Sequence, residues 1–177
     1  MSAMSFLTER RARLVAVGAL LLAGAGLVVP AAMAQAGQPS LNAVRQATAR
    51  FHSVPNAEKA GYTRFLDCMD DGMSKGMGQH YVRTDLLADN GALAATTPEA
   101  LVYDESSGSP RLVAVEYVVP GAPTDPAPHL LGQTFTYLPS LGVWKLHYWI
   151  WRANPDGVFK DFSPAVPLCS GAMAMTH

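Results

Sequence analysis

The chain predicts an α+β fold, with one or two N-terminal helices packed on an antiparallel sheet of about four or five strands in a single exported domain. Three observations lead there. Apolar residues recur at helical spacing only near the start of the exported part, at Leu41, Val44, Ala47 and Phe51. The later runs of β-branched and aromatic residues follow one another without intervening helical patterns, as antiparallel strands do. The length, 177 residues with 49% apolar and 15% charged, suits one hydrophobic core. A small β-barrel-like arrangement is the alternative.

The first 34 residues have the three parts of an export signal. Arg10, Arg11 and Arg13 form a basic start, residues 14–29 an apolar run, and Ala32-Met33-Ala34 a small-residue cleavage site before Gln35. An apolar run of 16 residues is shorter than the ~20 that span a bilayer, so a cleaved signal is preferred to an anchor. The ordinary secretory route fits better than twin-arginine export. Residues 35–177 then form one exported domain with a flexible C-terminal tail, periplasmic or extracellular, with no membrane span of its own. Thirteen basic against 14 acidic side chains give a net charge of -1, which argues against nucleic acid as a partner.

Ser40 stands where a helix cap is expected, and the helical spacing follows it until Pro55 interrupts the hydrogen-bond ladder. A second helical turn is expected over residues 56–60. Residues 67–79, with Gly72, Gly76 and Gly78, read as a loop, and residues 79–82 as a short strand. The polar, alanine-rich stretch 83–98 allows a turn of helix. Residues 100–103 and 111–119 read as a hairpin closed by a turn-rich bridge. Pro120, Pro123, Pro126 and Pro128 then exclude a central strand and predict a stiff surface loop. Residues 143–152 form an aromatic strand. Its alternation points Leu146, Tyr148 and Ile150 one way and Lys145, His147, Trp149 and Trp151 the other. After the turn at Asn154, Phe159 and Phe162 are expected to fold back as a hydrophobic clamp.

Cys68 and Cys169 both lie in the exported part, and two cysteines in an oxidising compartment most simply pair. Closing a loop of about 100 residues is worth about 4.7 kcal/mol in the chain-entropy description. The alternative is a reactive or metal-binding thiol.

Four stretches carry a resemblance: Met77-Gly-Gln-His-Tyr-Val82, Leu101-Val-Tyr103, residues 112–119 with Glu116-Tyr117, and Leu146-His-Tyr-Trp-Ile-Trp followed by Asn154-Pro-Asp-Gly-Val-Phe159. Together they resemble a family of exported bacterial proteins of unassigned function, with motifs Met-Gly-x-His-Tyr-Val and Leu-His-x-Trp-x-Trp-x-x-Asn-Pro-x-Gly-x-Phe. The resemblance implies an exported single domain and directs attention to His80, Glu116 and His147.

These three residues fall within expected strands, and two histidines with a carboxylate form a ligand set for Zn, Fe or Cu. Tyr81, Trp149 and Trp151 are expected to line a ligand pocket beside them. The alternative is that each polar group is half-buried and satisfied by its own neighbours. A second constellation is sulfur-rich: Met69, Met73 and Met77 follow Cys68, and Met173, Met175 and His177 follow Cys169. Thioethers with an imidazole select Cu(I), although methionine also fills core gaps and chain ends fray. Asp67, Asp70 and Asp71 do not match an EF-hand and read as a solvated turn. Nucleophile-elbow, phosphate-loop, His-Glu-x-x-His and Cys-x-x-Cys signatures are absent from the sequence. The functional expectation is an exported protein that binds a metal ion, Cu or Zn, or a small ligand. A metal-dependent enzyme using the same residues and a structural envelope-associated protein are the alternatives.

Overall fold

Residues 41–48 hold Val44 and Thr48 on one face, and those two side chains are the ones buried in helix α1 (Leu41–Thr48). The computed structural model describes residues 41–89 and 91–169 of the chain. The expected signal peptide, residues 1–34, and the tail with Met173, Met175 and His177 lie outside the described residues. After α1 the chain tightens into a 3-10 turn (Ala49–His52). It then restarts as helix α2 (Val54–Lys59), where Pro55 sits in the first turn. A proline there gives up a backbone donor that the helix would leave unpaired anyway.

The main sheet has six strands in the order β1-β2-β3-β4-β8-β7, every neighbouring pair antiparallel. They are β1 (Thr63–Asp70), β2 (Gly76–Val82), β3 (Ala100–Asp104), β4 (Arg111–Pro120), β7 (Thr136–Leu138) and β8 (Val143–Tyr148). A short helix α3 (Thr84–Leu87) follows β2, and a separate small hairpin pairs β5 (His129–Leu130) with β6 (Gln133–Thr134). The fold class is α+β as the sequence implies, with more strands than the four or five expected. The hairpin of β3 and β4 is present; of the four prolines expected outside a central strand, Pro120 is the last residue of β4, opposite Val143, and Pro123, Pro126 and Pro128 lie outside the main sheet.

The strands not read from the sequence are the two at the sheet edges, β7 and β1, the latter over residues 63–70, whose second half reads as the start of a loop. The β1 pairing is broken by bulges on either side of Met69, and Leu66 has φ +54°. The buried Gln79 side chain fills the gap: its amide donates to the carbonyls of Phe65, Leu66 and His80 at 3.0–3.2 Å. The glycines of β2 are strand residues for a steric reason. A Cβ on Gly76 would sit 2.2 Å from the Pro167 carbonyl oxygen, and one on Gly78 2.6 Å from that of Tyr103.

The helices cover one face of the sheet, where Tyr81, Leu101, Val115, Tyr117, Leu146 and Tyr148 pack with Val44, Phe51 and Ala57. Three buried tyrosines tether this layer: Tyr103 donates to the Phe51 carbonyl (2.6 Å), Tyr62 to Pro98 (2.7 Å) and Tyr117 to Ala95 (2.7 Å). After Tyr148 the chain leaves the sheet, so the strand is shorter than the expected 143–152. Phe159 stacks on Tyr148 at 4.8 Å, as the clamp requires. The segment then crosses the other face of β2, pairing Gly76 with Ser163. It ends at Cys169, which is disulfide-bonded to Cys68. No helix among the described residues is long and apolar enough to cross a membrane.

Candidate metal centre

The face of the sheet opposite the helices is where the polar residues gather. Register places Val82, Ala100, Glu116 and His147 in one row, and His80, Val102 and Ala114 in the next. Glu116 and His147 are thus direct cross-strand neighbours. His80 must reach Glu116 over β3, about 10 Å of sheet at ordinary strand spacing. The reach is possible because β3 presents the small Ala100 and Val102 between them on that face.

His80 Nε2 lies 3.3 Å from Glu116 Oε2, and His147 Nδ1 lies 3.6 Å from Glu116 Oε1. One ligand atom from each residue falls within 4.8 Å of the other two. The two contacts fall on different oxygens of Glu116, and a tetrahedral ion with bonds of about 2.1 Å holds its ligands about 3.4 Å apart, so one ion would draw the three ligand atoms together by up to about 1.4 Å. All three side chains are buried, at 3%, 6% and 0% exposure for His80, Glu116 and His147. The contacts are close but not aligned as hydrogen bonds. Among the described residues, all four ring nitrogens of the two histidines lack a hydrogen-bond partner. A buried polar group left so costs about 1–3 kcal/mol, which a bound cation would offset for the nitrogens that ligate it.

Burial pushes the Glu116 carboxyl up, but the two imidazoles beside it outweigh this and hold it well below the usual carboxylate range. Burial pushes His147 down, against the pull of Glu116, and so favours the neutral, ligating imidazole. Trp149 fixes the His147 ring by packing against it, with centroids 4.8 Å apart. Its indole N–H donates to the Lys160 carbonyl. Lys145, one residue pair along from His147, forms a 2.5 Å ion pair with Asp161.

A cavity of about 270 Å³ opens onto this cluster. His80, Glu116 and Lys145 form its polar part; Met69, Met77 and a set of aliphatic side chains form the rest. His147 is not among the lining residues and closes the cluster from behind.

Of the residues singled out in the sequence, His80, Glu116 and His147 are brought together. Trp149 touches the cluster without lining the cavity. Tyr81 and Trp151 stand on the helix side instead. Tyr81 alternates with His80 along β2 and packs on Tyr103. Trp151 lies beyond the end of β8, where strand alternation no longer applies, and donates to the Thr48 hydroxyl at 3.2 Å. The methionines separate: Met69 and Met77 line the cavity, whereas Met73 is 79% exposed on the turn after β1. The aspartates of that turn serve the backbone, with Asp71 accepting from the amides of Met73, Ser74 and Lys75 and Asp70 from those of Gly72 and Cys169. Sequence reasoning missed the apolar walls at Phe65, Leu138 and Leu141. Phe65 and Leu141, both more than one-third exposed, lie in segments that showed no strand alternation.

No family model, curated protein or solved structure matches the chain.

Proposed function

We propose that the protein is an exported binding protein that holds a divalent transition metal through His80 Nε2, Glu116 and His147 Nδ1. The observation that carries this reading is the convergence of three buried ligand atoms within 4.8 Å on imidazoles whose ring nitrogens lack hydrogen bonds. The donor set suits Zn(II) or Cu(II) and leaves at least one coordination position open. Entry is from the cavity, which reaches His80 and Glu116 directly.

The test is metal content by mass spectrometry on untagged protein made from the full chain, followed by titration with Zn(II) and Cu(II). One equivalent should bind, and His80→Ala or His147→Ala should abolish it while circular dichroism shows the fold retained. Absence of binding by the folded wild-type protein overturns the reading. A second reading, Cu(I), has its own observation: the Met69 and Met77 side chains line the same cavity as His80. It predicts that Met69→Leu with Met77→Leu weakens Cu(I) and leaves Zn(II) binding intact.

A further inference from the structure

We infer that the open position of this metal faces a site for a small amphipathic carboxylate, whose headgroup ligates the ion and whose apolar body fills the cavity. The inference rests on the metal reading above and extends it to the class of organic ligand.

Direction comes first. His147 is fully enclosed and absent from the cavity wall, while His80 and Glu116 reach that wall. A further ligand would therefore reach an ion held by these residues from the cavity side. Shape comes second. Beyond the polar floor the walls are Phe65, Val118, Leu138, Leu141 and Val143, with the two methionines. A volume of about 270 Å³ lies at the small end of ligand cavities, which suits a short-chain acid.

Charge decides the headgroup. Lys145 is paired with Asp161, so a metal ion held at the floor would have Glu116 as its one anionic ligand beside two imidazoles that are neutral when coordinated. A divalent ion on that set leaves one net positive charge in a buried setting, where screening by solvent is weak. Carboxylate binding is thus conditional on the metal, and the apolar walls give preference to an acid with a tail over one without.

The probe is hexanoate, titrated into the Co(II)-loaded full chain with the cobalt visible spectrum as readout, alongside acetate, hexanol and metal-free protein. The expected result is a spectral shift with hexanoate that saturates at least ~30-fold lower in concentration than with acetate, from four added methylenes. Hexanol should give no shift, and metal-free protein should not bind hexanoate by calorimetry. Leu141→Asp, at a 42% exposed turn position outside the metal ligands, should weaken hexanoate at least ~10-fold and leave cobalt affinity unchanged. Cobalt bound stoichiometrically with no hexanoate response, or with acetate as effective as hexanoate, overturns the inference and leaves the metal reading standing. Failure of Co(II), Zn(II) and Cu(II) to bind removes both.

Discussion

Glu99 is, among the described residues, the most deeply buried of the carboxylates that lie outside the metal cluster. It is 1% exposed at the entrance to β3, and its Oε2 accepts the Val118 amide at 3.1 Å. Burial pushes its pKa up to about 7 from an ordinary 4.5. The folded state therefore keeps a proton that the unfolded chain has already released. Stability is greatest below about pH 4.5 from this group and is lost as pH rises toward about 7, by up to about 3 kcal/mol. Glu99→Gln keeps an acceptor for Val118 and has no such slope. Urea unfolding at pH 5 and pH 8 should show the wild-type protein losing more stability than Glu99→Gln over that interval. Equal losses would show that Glu99 carries no shifted proton. The same scale explains why site chemistry was only half legible in the sequence. His80, Glu116 and His147 could be chosen as residue types on strands. Their meeting depends on Ala100 being small and on His80 leaning over β3, neither of which periodicity contains.

At the scale of elements, the sheet is held to its two coverings by a few close approaches. Gly76 lets the C-terminal segment lie against β2, donating its amide to the Val166 carbonyl at 2.9 Å and accepting from the Ser163 amide at the same distance. Gly76→Ala would drive a methyl group into the Pro167 carbonyl, with loss expected at the upper end of the ~1–3 kcal/mol range for overpacking. Thermal unfolding measures it, and an unchanged midpoint would mean that the segment does not pack there. On the opposite face, Tyr103→Phe removes the donor to Phe51 and leaves a buried carbonyl unpaired, at a cost of ~1–3 kcal/mol. These contacts show where element reading from the sequence succeeded and failed. The hairpin of β3 and β4 was legible because its runs are β-branched and its turn is polar. β1 was not, because its edge position leaves Phe65 and Leu66 exposed and its bulges break the two-residue period. The strand character of β2 before Gln79 was hidden by glycines that serve packing rather than turning. Trp151 was assigned to the His147 face because the alternation was carried past Tyr148, where the strand ends.

Across the whole molecule, the disulfide joins the edge strand β1 to the end of the segment that crosses β2, between cysteines 101 positions apart in sequence. It was legible from cysteine count and context, and it is the feature that speaks for a compartment outside the reducing cytosol. Its position also bears on the site. The crossing segment contributes Val166, which packs with Trp149, and Trp149 in turn sets the His147 ring. Opening the bond releases a closed loop of about 100 residues, worth about 4–5 kcal/mol if native strain is small. The expected outcome is a urea midpoint shift of that order on reduction with dithiothreitol, reproduced by Cys68→Ser with Cys169→Ser. The ligand set contains no thiol, so the same double variant should still bind one metal ion under conditions where it remains folded. Weaker metal affinity in that folded variant would show that the bond orders His147 through Trp149. Loss of binding with unchanged stability would instead place the cysteines themselves among the ligands, contrary to the bonded pair seen in the fold.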